Sequence, residues 1–244
     1  MTRRADVCTL ALAEAFRGDG EILANPIGSF PRIGGLLAQS SFEPELLMTD
    51  GEALFVDSDG SVEGWNPYRR MFDLLWSGRR HVIMGASQLD RFGNQNLAFI
   101  GDDQRRPKRQ LIGFRGASGN TINHTTSYWI PNHSPRVLVE KVDVVCGIGY
   151  DRAALLEPES ARFHEVRRIV TNLAVLDFDT DDHRMRLASV HPGVTVDQVT
   201  SATGFALVVP PDVPTTPEPD ARTLDLISSL DPTGARYAEV RDGI

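Results

Sequence analysis

The sequence predicts an α/β protein, because short apolar runs of strand length alternate with longer segments whose apolar residues recur at helical spacing. The chain has 244 residues and 41% hydrophobic content, which suffices for one sizeable core in one domain or two small ones. The run His81 to Met84 is typical of the end of a buried strand, and the glycine-rich segment Gly85 to Asn96 follows it. Loops that leave the carboxyl ends of strands form the ligand crevice of an open α/β sheet, so this segment is the first candidate for a site.

The N-terminal elements follow in order. The apolar residues of Asp6 to Phe16 form one helical stripe, which ends at the glycines of Gly18-Asp19-Gly20. Glu21 to Ala24 predicts a short strand, and Ser29, two residues before Pro31, predicts the start of the next helix. Gly28 would lie where that strand meets its helix, a plausible place for an anion beside free helical N–H groups.

Two acidic residues follow the second predicted strand, Glu45 to Met48. They are Asp50 and Glu52 in the sequence Thr49-Asp50-Gly51-Glu52. A partly desolvated carboxylate has a raised pKa and can serve as a nucleophile or general base near neutral pH. An Asp-Gly turn explains the same residues equally well. Farther along, an amphipathic core helix is predicted from the spacing of Tyr68, Met71, Phe72 and Leu75 and is closed by Gly78.

A second glycine-rich segment, Gly113 to Asn123, is separated from the first by a predicted strand, Asn96 to Ile100. Both segments are therefore expected to follow strands, where glycines let backbone amides approach a ligand or a developing oxyanion closely. Asn94 and Asn96 would point the same way from an extended segment and could hydrogen-bond a ligand. The dipeptide Gly93-Asn94 is also a turn signal.

The C-terminal half continues the alternation. Arg136 to Gly149 predicts one strand leading into another, with Cys146 buried as a small apolar residue. The remaining predictions are a short exposed helix in Glu159 to Arg168, a pair of strands around the turn Thr180 to His183, a helix in Val194 to Leu207, a proline-rich strap from Pro210 to Pro219, and a last helix from Arg222 to Leu230.

Charge and motif content exclude several function classes. The net charge of −8 argues against a binder of nucleic acid or anionic membranes. The basic cluster Arg105 to Arg109 predicts a solvated loop or a patch that faces an anionic ligand such as a nucleotide phosphate. Cys8 and Cys146 lack metal-ligand spacing, and no apolar window approaches a membrane span, so a soluble cytoplasmic protein is expected. No histidine pair has the spacing of a helical metal site, and Ser118 lacks a Gly-x-Ser-x-Gly motif, so neither a metal site nor a hydrolytic triad is predicted.

Several motifs in a fixed order resemble those of β subunits of family I CoA transferases, over about Ala5 to Leu207. They are Gly18-Asp19-Gly20, Gly28-Ser29, the acidic loop at Asp50, "DRFGNQN" from Asp90, "GASGN" from Gly116, "VEKVD" from Val139, "HPGVT" from His191 and "TGF" from Thr203. The resemblance implies one CoA-transferase-like (NagB/RpiA-like) domain over residues 1–244, with a single open, mostly parallel sheet, flanking helices, and a strap and short helix at about 210–244. It also implies a homologous α subunit in an α2β2 assembly, an acyl-CoA substrate at the α/β interface, and no cofactor other than that coenzyme A.

Two departures from the transferase pattern bear on the chemistry. The position that matches the family's nucleophilic glutamate is Asp50, which is one methylene shorter. A nucleophile misplaced by about 1 Å can lose roughly a hundredfold in rate. The family's Gly-x-Gly-Gly turn, which supplies an oxyanion-binding amide, is here Gly116-Ala117-Ser118-Gly119.

The segment Arg115 to Arg136 also resembles β subunits of hydrolases that open the last steroid ring as a CoA ester. Their substrate class is a 6-oxocyclohex-1-ene-1-carboxyl-CoA with carboxyethyl and methyl groups, and the resemblance places the general base, a glutamate, in the α subunit. The residues of this chain then have supporting roles. Gly116, Ser118 and Gly119 would line the oxyanion and thioester region, and Asn94 and Asn96 would shape the loop beside it. Arg115 and His124 could meet the substrate carboxylate or, as structural residues, satisfy backbone carbonyls. Asp50 could orient water or cap a turn.

Three functions from different classes stay open at this stage. The first is a subunit of the ring-opening hydrolase. The second is a true CoA transferase that uses Asp50 or Glu52 and forms a covalent enzyme–CoA thioester. The third is a subunit without catalytic groups that stabilises its α partner and completes the pocket.

Overall fold

The computed structural model describes residues 2–50, 54–67, 69–70, 73 and 77–240. Within these ranges the main sheet has nine strands: β1 Leu23–Pro26, β2 Leu47–Thr49, β3 Leu54–Val56, β4 Val62–Trp65, β5 Arg80–Met84, β10 Thr125–Ile130, β11 Glu165–Thr171, β12 Ala174–Asp177 and β13 Arg186–Val190. Their order across the sheet is β13-β12-β11-β10-β5-β1-β2-β3-β4. Two small hairpins lie outside it and pair β6 Gln88–Leu89 with β7 Gln95–Asn96, and β8 Phe99–Ile100 with β9 Arg109–Gln110.

The centre of the sheet is parallel and its two outer parts are antiparallel. β2, β1, β5, β10 and β11 run in the same direction, and β3, β4, β12 and β13 are joined to them by antiparallel pairs. The chain moves from β1 to β2 on one side and returns to β5 on the other side of β1. The carboxyl ends of β1 and β5 therefore form a topological switch point, which is where open α/β sheets bind ligands.

Helices cover both faces of the sheet. They are α1 Arg4–Glu14, α2 Ser29–Ser41 and, farther along the chain, the helices Ala117–Asn123, Tyr150–Ala153, Pro158–Ala161, Val196–Ser201, Ala221–Leu230 and Arg236–Glu239. α1 and α2 bury one face in a core that includes Phe16, Ile83 and Val170. Phe30 of α2 stacks on Trp129 of β10 with ring centroids 4.5 Å apart. Among the helices in the described ranges, none combines the length and apolar character that crossing a bilayer requires.

The C-terminal region packs on these elements. The predicted strap bonds to the edge strand β13, where Val190 N–H donates to Pro214 O (3.0 Å) and Thr216 N–H donates to Val190 O (2.8 Å). Such cover protects an edge from pairing with other chains. The following helix buries Ile227 in the core beside α2. The buried guanidinium of Arg236 contacts carboxylates of Asp6 and Asp231 at 2.8 Å each, which ties the last helix to α1.

Most predicted elements lie within a few residues of their observed positions, but three differ from the structure. The two strands predicted in Arg136 to Gly149 are not formed. This segment lies against the β6–β7 hairpin and pairs with it only through isolated β-bridges; Cys146 N–H, for example, donates to Gln95 O (2.7 Å). The helix expected in Glu159 to Arg168 ends at Ala161, and β11 begins at Glu165. The strand Asn96 to Ile100 is interrupted because Asn96 Oδ1 accepts the N–H of Ala98 (2.9 Å). The predicted helix positions Tyr68, Met71, Phe72 and Leu75 lie outside the described residues.

Two buried histidines join the outer strands to the rest of the molecule. His133 hydrogen-bonds the hydroxyls of Thr171 and Thr203 (3.0 Å each). His191 bonds the carbonyl oxygen of Thr171 (2.9 Å) and the hydroxyl of Thr216 (3.0 Å). Burial lowers the pKa of each imidazole to about 4, so both rings are neutral at pH 7.

The folded chain should lose stability as the pH falls from about 6.5 to about 4. In that window an unfolded histidine, with a pKa of about 6.5, binds more protons than His133 or His191 in the folded state. The free energy of unfolding then falls by up to about 1.4 kcal/mol per pH unit for each histidine. Thermal unfolding midpoints at pH 7.5 and 5.5 measure the loss. His133→Gln should unfold at a lower temperature at pH 7.5 but show a shallower pH dependence, and an unchanged dependence would contradict this assignment.

Candidate active site

The loops at the topological switch point form the candidate site. Gly28 and Ser29 follow β1, Asp50 follows β2, and Gly85 follows β5; Gly28, Ser29 and Gly85 are exposed. The helix Ala117–Asn123 runs back along β5, because it leads into β10, whose first residue Thr125 pairs with His81 near the start of β5, while Asn120 in its middle contacts Met84 at the end of that strand (Nδ2 to Sδ, 3.7 Å). The residues before Asn120 therefore point toward the same edge of the sheet as these loops.

The glycine-rich turn Gly116 to Gly119 is accessible at this edge. Gly116 and Ser118 are exposed and Gly119 is half-buried, while Ala117 is buried against Ala98, Phe99 and Cys146. The N–H groups of a first helical turn have no acceptor inside the helix. The amides of Ser118 and Gly119 can therefore donate to a developing oxyanion. This segment follows a strand, as predicted, but that strand is the two-residue β9 of a small hairpin outside the main sheet, and β10 follows the segment.

Exposed apolar side chains flank the turn. Ile112 is 64% exposed and Phe114 is 42% exposed. Arg115, between Phe114 and the turn, is exposed and has a φ of 51°, which is uncommon for a residue other than glycine. Its side chain faces solvent, so a substrate contact is sterically possible. An apolar patch beside polar backbone groups is typical of a surface that a partner or ligand covers.

Asn94 and Asn96 are fully engaged inside the protein, which gives them a structural role. Asn94 Nδ2 donates to Asp90 Oδ2 (3.0 Å) and Asp151 Oδ1 (2.8 Å), and its Oδ1 accepts the N–H of Gly149 (2.9 Å). Asn96 Nδ2 donates to Gln88 Oε1 (2.7 Å) and Phe99 O (2.8 Å). Both side chains are buried. Because protein partners occupy these amides, the structure favours loop shaping over direct ligand contact.

His124 is buried away from the glycine turn, so of the two roles that the sequence allowed, the substrate contact is not available to it. It follows the helix Ala117–Asn123 at the end away from the glycine turn and is 0% exposed. Burial and the neighbouring positive charge of Arg80 lower the pKa of His124 to about 3. The ring is therefore neutral and inaccessible, and it cannot meet a substrate carboxylate.

The Asp50 carboxylate caps the hairpin between β2 and β3. Leu54 N–H donates to Asp50 Oδ1 (3.0 Å), and Asp50 N–H donates to Leu54 O (2.9 Å). Of the two roles that the sequence allowed for a hydrolase, these bonds favour the turn cap. Glu52, the other acidic residue of this loop, lies outside the described residues.

A Ser-His-Asp arrangement occurs elsewhere in the chain, and no sequence motif had indicated it. His81 Nδ1 lies 2.7 Å from Asp19 Oδ2, and His81 Nε2 lies 2.9 Å from Ser127 Oγ. The ring of Phe16 covers the imidazole at a centroid distance of 4.7 Å, and neither His81 nor Ser127 is exposed. No substrate can reach this serine, so the arrangement is not catalytic. Its hydrogen bonds instead attach Asp19, in the loop after α1, to β5 and β10. Within the described ranges, no group of three or more His, Cys, Asp or Glu residues could hold a metal ion.

Comparison with known proteins identifies related sequences over almost the whole chain. Residues 72–202 match the family model described as coenzyme A transferase. The chain is 49% identical over 246 residues to the cholesterol ring-cleaving hydrolase IpdB subunit of Rhodococcus jostii (strain RHA1), covering 97% of this chain and 96% of that protein. It is 47% identical to the corresponding subunit of Mycobacterium tuberculosis (strain ATCC 25618 / H37Rv), covering 99% of this chain and 100% of that protein.

A solved structure agrees with these sequence matches. The crystal structure of Rhodococcus jostii RHA1 IpdAB contains a chain that superposes with a TM-score of 0.91 at 49% identity, covering 97% of this chain and 98% of that chain. The similarity therefore extends from the sheet through the strap to the C-terminal helices. It confirms the predicted fold class, an α/β protein with an open sheet of the CoA-transferase type.

Proposed function

The chain belongs to the coenzyme A transferase family, and we propose that it is the β subunit of a heteromeric hydrolase that opens the last steroid ring as a CoA thioester. The similarity to IpdB subunits supports this function, because it covers 97% of the chain at 49% identity. One observation in the structure carries the choice between hydrolase and transferase. The carboxylate at the transferase nucleophile position, Asp50, is bonded into a hairpin, whereas the oxyanion turn Gly116 to Gly119 is exposed.

The reaction adds one water across a carbon–carbon bond. The oxygen of water bonds to the ring ketone carbon while a base removes a proton. The tetrahedral alkoxide then collapses, and the bond to the thioester-bearing carbon breaks. Because that carbon also carries the ring double bond, the thioester carbonyl takes up the electron pair of the broken bond as an allenolate, and the carbon is then protonated. The product has a new carboxylate and still carries coenzyme A, so the enzyme needs no covalent intermediate and no further cofactor.

This chain supplies oxyanion stabilisation and part of the pocket. The amides of Ser118 and Gly119 can donate to the thioester oxygen as negative charge develops on it, which is an interaction that strengthens in the transition state. Arg115 is exposed beside the turn and is the remaining candidate in this chain for the substrate carboxylate. We place the general base in the partner subunit, in keeping with the family resemblance.

The exposed apolar side chains support a site that is completed by a partner. Ile112 and Phe114 lie next to the turn, and covering them would exclude bulk water from the thioester region. A homologous α subunit is the partner we propose, and an α2β2 assembly is the stoichiometry. Analytical ultracentrifugation of the coexpressed subunits tests the stoichiometry.

Incubation of the coexpressed complex with the cyclohexenone carboxyl-CoA in 18O-labelled water tests the reaction. The product should gain one water, carry one 18O in a new carboxylate and retain coenzyme A. An unchanged ring, with CoA exchanged onto an added carboxylate, would instead establish the transferase. Trapping with hydroxylamine or borohydride provides a second distinction, because a transferase forms an enzyme–CoA thioester and the hydrolase should form none.

Replacing Asp50 by asparagine should leave ring opening within about tenfold of the wild-type rate. The amide oxygen of Asn can still accept the N–H of Leu54, so the hairpin is retained while the charge is removed. Steady-state kinetics of the reconstituted complex measures the effect. A loss of about a thousandfold or more would show that the carboxylate takes part in the chemistry.

A further inference from the structure

A buried polar network connects the glycine turn to the end of β2. Arg80 donates from Nη1 to Asn120 Oδ1 (2.8 Å) and from Nη2 to Asn25 Oδ1. Asn25 Nδ2 then donates to Thr49 Oγ1 (2.8 Å). These four residues, here called the Arg80 network, are each 8% exposed or less. Asn120 directly follows Gly119 of the turn, and Thr49 directly precedes Asp50.

The strand register explains how the network crosses the sheet. Leu23 of β1 pairs with Arg80 of β5 and with Leu47 of β2. Because side chains alternate along a strand, Arg80, Asn25 and Thr49 project from the same face of three neighbouring strands. The helix Ala117–Asn123 reaches this face through Asn120. The network therefore joins the helix that follows the turn to β5, β1 and β2.

We propose that the Arg80 network positions the turn Gly116 to Gly119 relative to β1 and β5, whose carboxyl ends form the topological switch point, which makes Arg80 and Asn120 positioning residues for ring opening. This inference rests on the proposed function of the turn. The N–H donors of a guanidinium lie in one rigid plane, so Arg80 fixes the positions of the Asn25 and Asn120 side chains relative to each other. Hydrogen bonds buried in a low-dielectric interior resist displacement by water. A shift of about 1 Å in a catalytic group can cost about a hundredfold in rate.

Kinetics of the coexpressed complex tests the positioning role. Asn120→Ala and Arg80→Lys should each lower kcat by about 10- to 100-fold and leave KM within about threefold, because they disturb the reacting geometry rather than the contacts to coenzyme A. Lysine can reach one asparagine oxygen but cannot span both. Added guanidinium ion should partly restore kcat in Arg80→Ala and should have no effect on Asn120→Ala.

Ser127→Ala is the matched control. Ser127 is as buried as the network residues and loses one side-chain hydrogen bond, to His81 (2.9 Å), but it lies on the opposite face of the sheet. The Ser127→Ala variant should have a lower thermal midpoint, because a buried hydrogen bond is lost. Its kcat should stay within about twofold of wild type, because the position of the glycine turn does not change. If Asn120→Ala lowers kcat no more than Ser127→Ala does, the positioning role is overturned.

Hydrogen exchange measured by mass spectrometry tests the network without reference to activity. Asn25→Ala makes no direct change to the helix, yet it removes one acceptor of Arg80. Amide exchange in residues 117–123 should accelerate by at least about tenfold in this variant and remain unchanged in Ser127→Ala. If the wild-type complex does not open the ring, the proposed function is rejected. The exchange rates of residues 117–123 would still show whether the Arg80 network holds this helix in place. Unchanged exchange in Asn25→Ala would reject the network itself.

Discussion

Replacing Ser118 by proline should lower kcat for ring opening by about 100- to 1000-fold, the usual cost of removing one oxyanion donor. Ser118 is the second residue of its helix, where the N–H has no acceptor within the helix, so proline removes this donor without breaking a helical bond. The side chain is exposed, and the ring can be accommodated toward solvent. Steady-state kinetics of the coexpressed complex gives the measurement.

Ser118→Ala is the control for this experiment, because it removes only the hydroxyl and retains the amide. Its kcat should remain within about tenfold of wild type. Equal losses in the two variants would assign the effect to the hydroxyl and not to the amide. If Ser118→Pro keeps both its thermal midpoint and its full kcat, the Ser118 amide does not stabilise an oxyanion in the reaction.

Replacing Gly149 by alanine should cost at least about 3 kcal/mol of stability, which corresponds to a fall of roughly 6–12 °C in thermal midpoint for a chain of this size. A Cβ at this position would lie 2.1 Å from the carbonyl oxygen of Phe92 and 2.6 Å from the backbone nitrogen of Asn94. Both obstacles are backbone atoms, which cannot rotate away. The same backbone approach lets Gly149 N–H donate to Asn94 Oδ1 (2.9 Å), so the loop around Asp90 would also lose a bond.

Gly85→Ala is the matched control for stability. Its Cβ would meet only the carbonyl oxygen of Trp129, at 4.0 Å, which is ordinary van der Waals contact. The expected change is below about 1 kcal/mol. Differential scanning fluorimetry of both variants in the complex measures the difference. If Gly149→Ala fails to yield soluble complex while Gly85→Ala yields it normally, the expectation is also met, whereas similar midpoints for the two variants would contradict it.

Asn94 illustrates why part of the site could not be predicted. Its spacing from Asn96 indicated two polar side chains on one side of a strand-end loop, and the sequence allowed either ligand contact or loop shaping. The choice depends on Asp151 and Gly149, which approach Asn94 from a segment more than fifty residues away. Hydrogen-bond partners at such separations follow from packing, and local spacing carries no information about them.

Asp50 illustrates the same limit for a charged group. The order of motifs placed it at the nucleophile position of the transferases, and its shorter side chain already indicated different chemistry. The bond from Leu54 to its carboxylate depends on the antiparallel pairing of β2 and β3, which the structure resolves as a hairpin. The charged Arg80 at the start of an apolar strand was the one sequence signal that could have indicated a buried polar network.

The sequence by itself determined the class of fold, the order of most helices and strands, and the family resemblance, because hydrophobic period, helix-ending glycines and motif order are local properties of the chain. Gly18 and Gly20, for example, have the positive φ values that a helix-ending signal predicts. Only the tertiary structure decided that His124 is inaccessible and that Asn25, Thr49, Arg80 and Asn120 meet in one network. These outcomes depend on strand order and register, which bring together residues that are distant in the chain and set which side chains share a face.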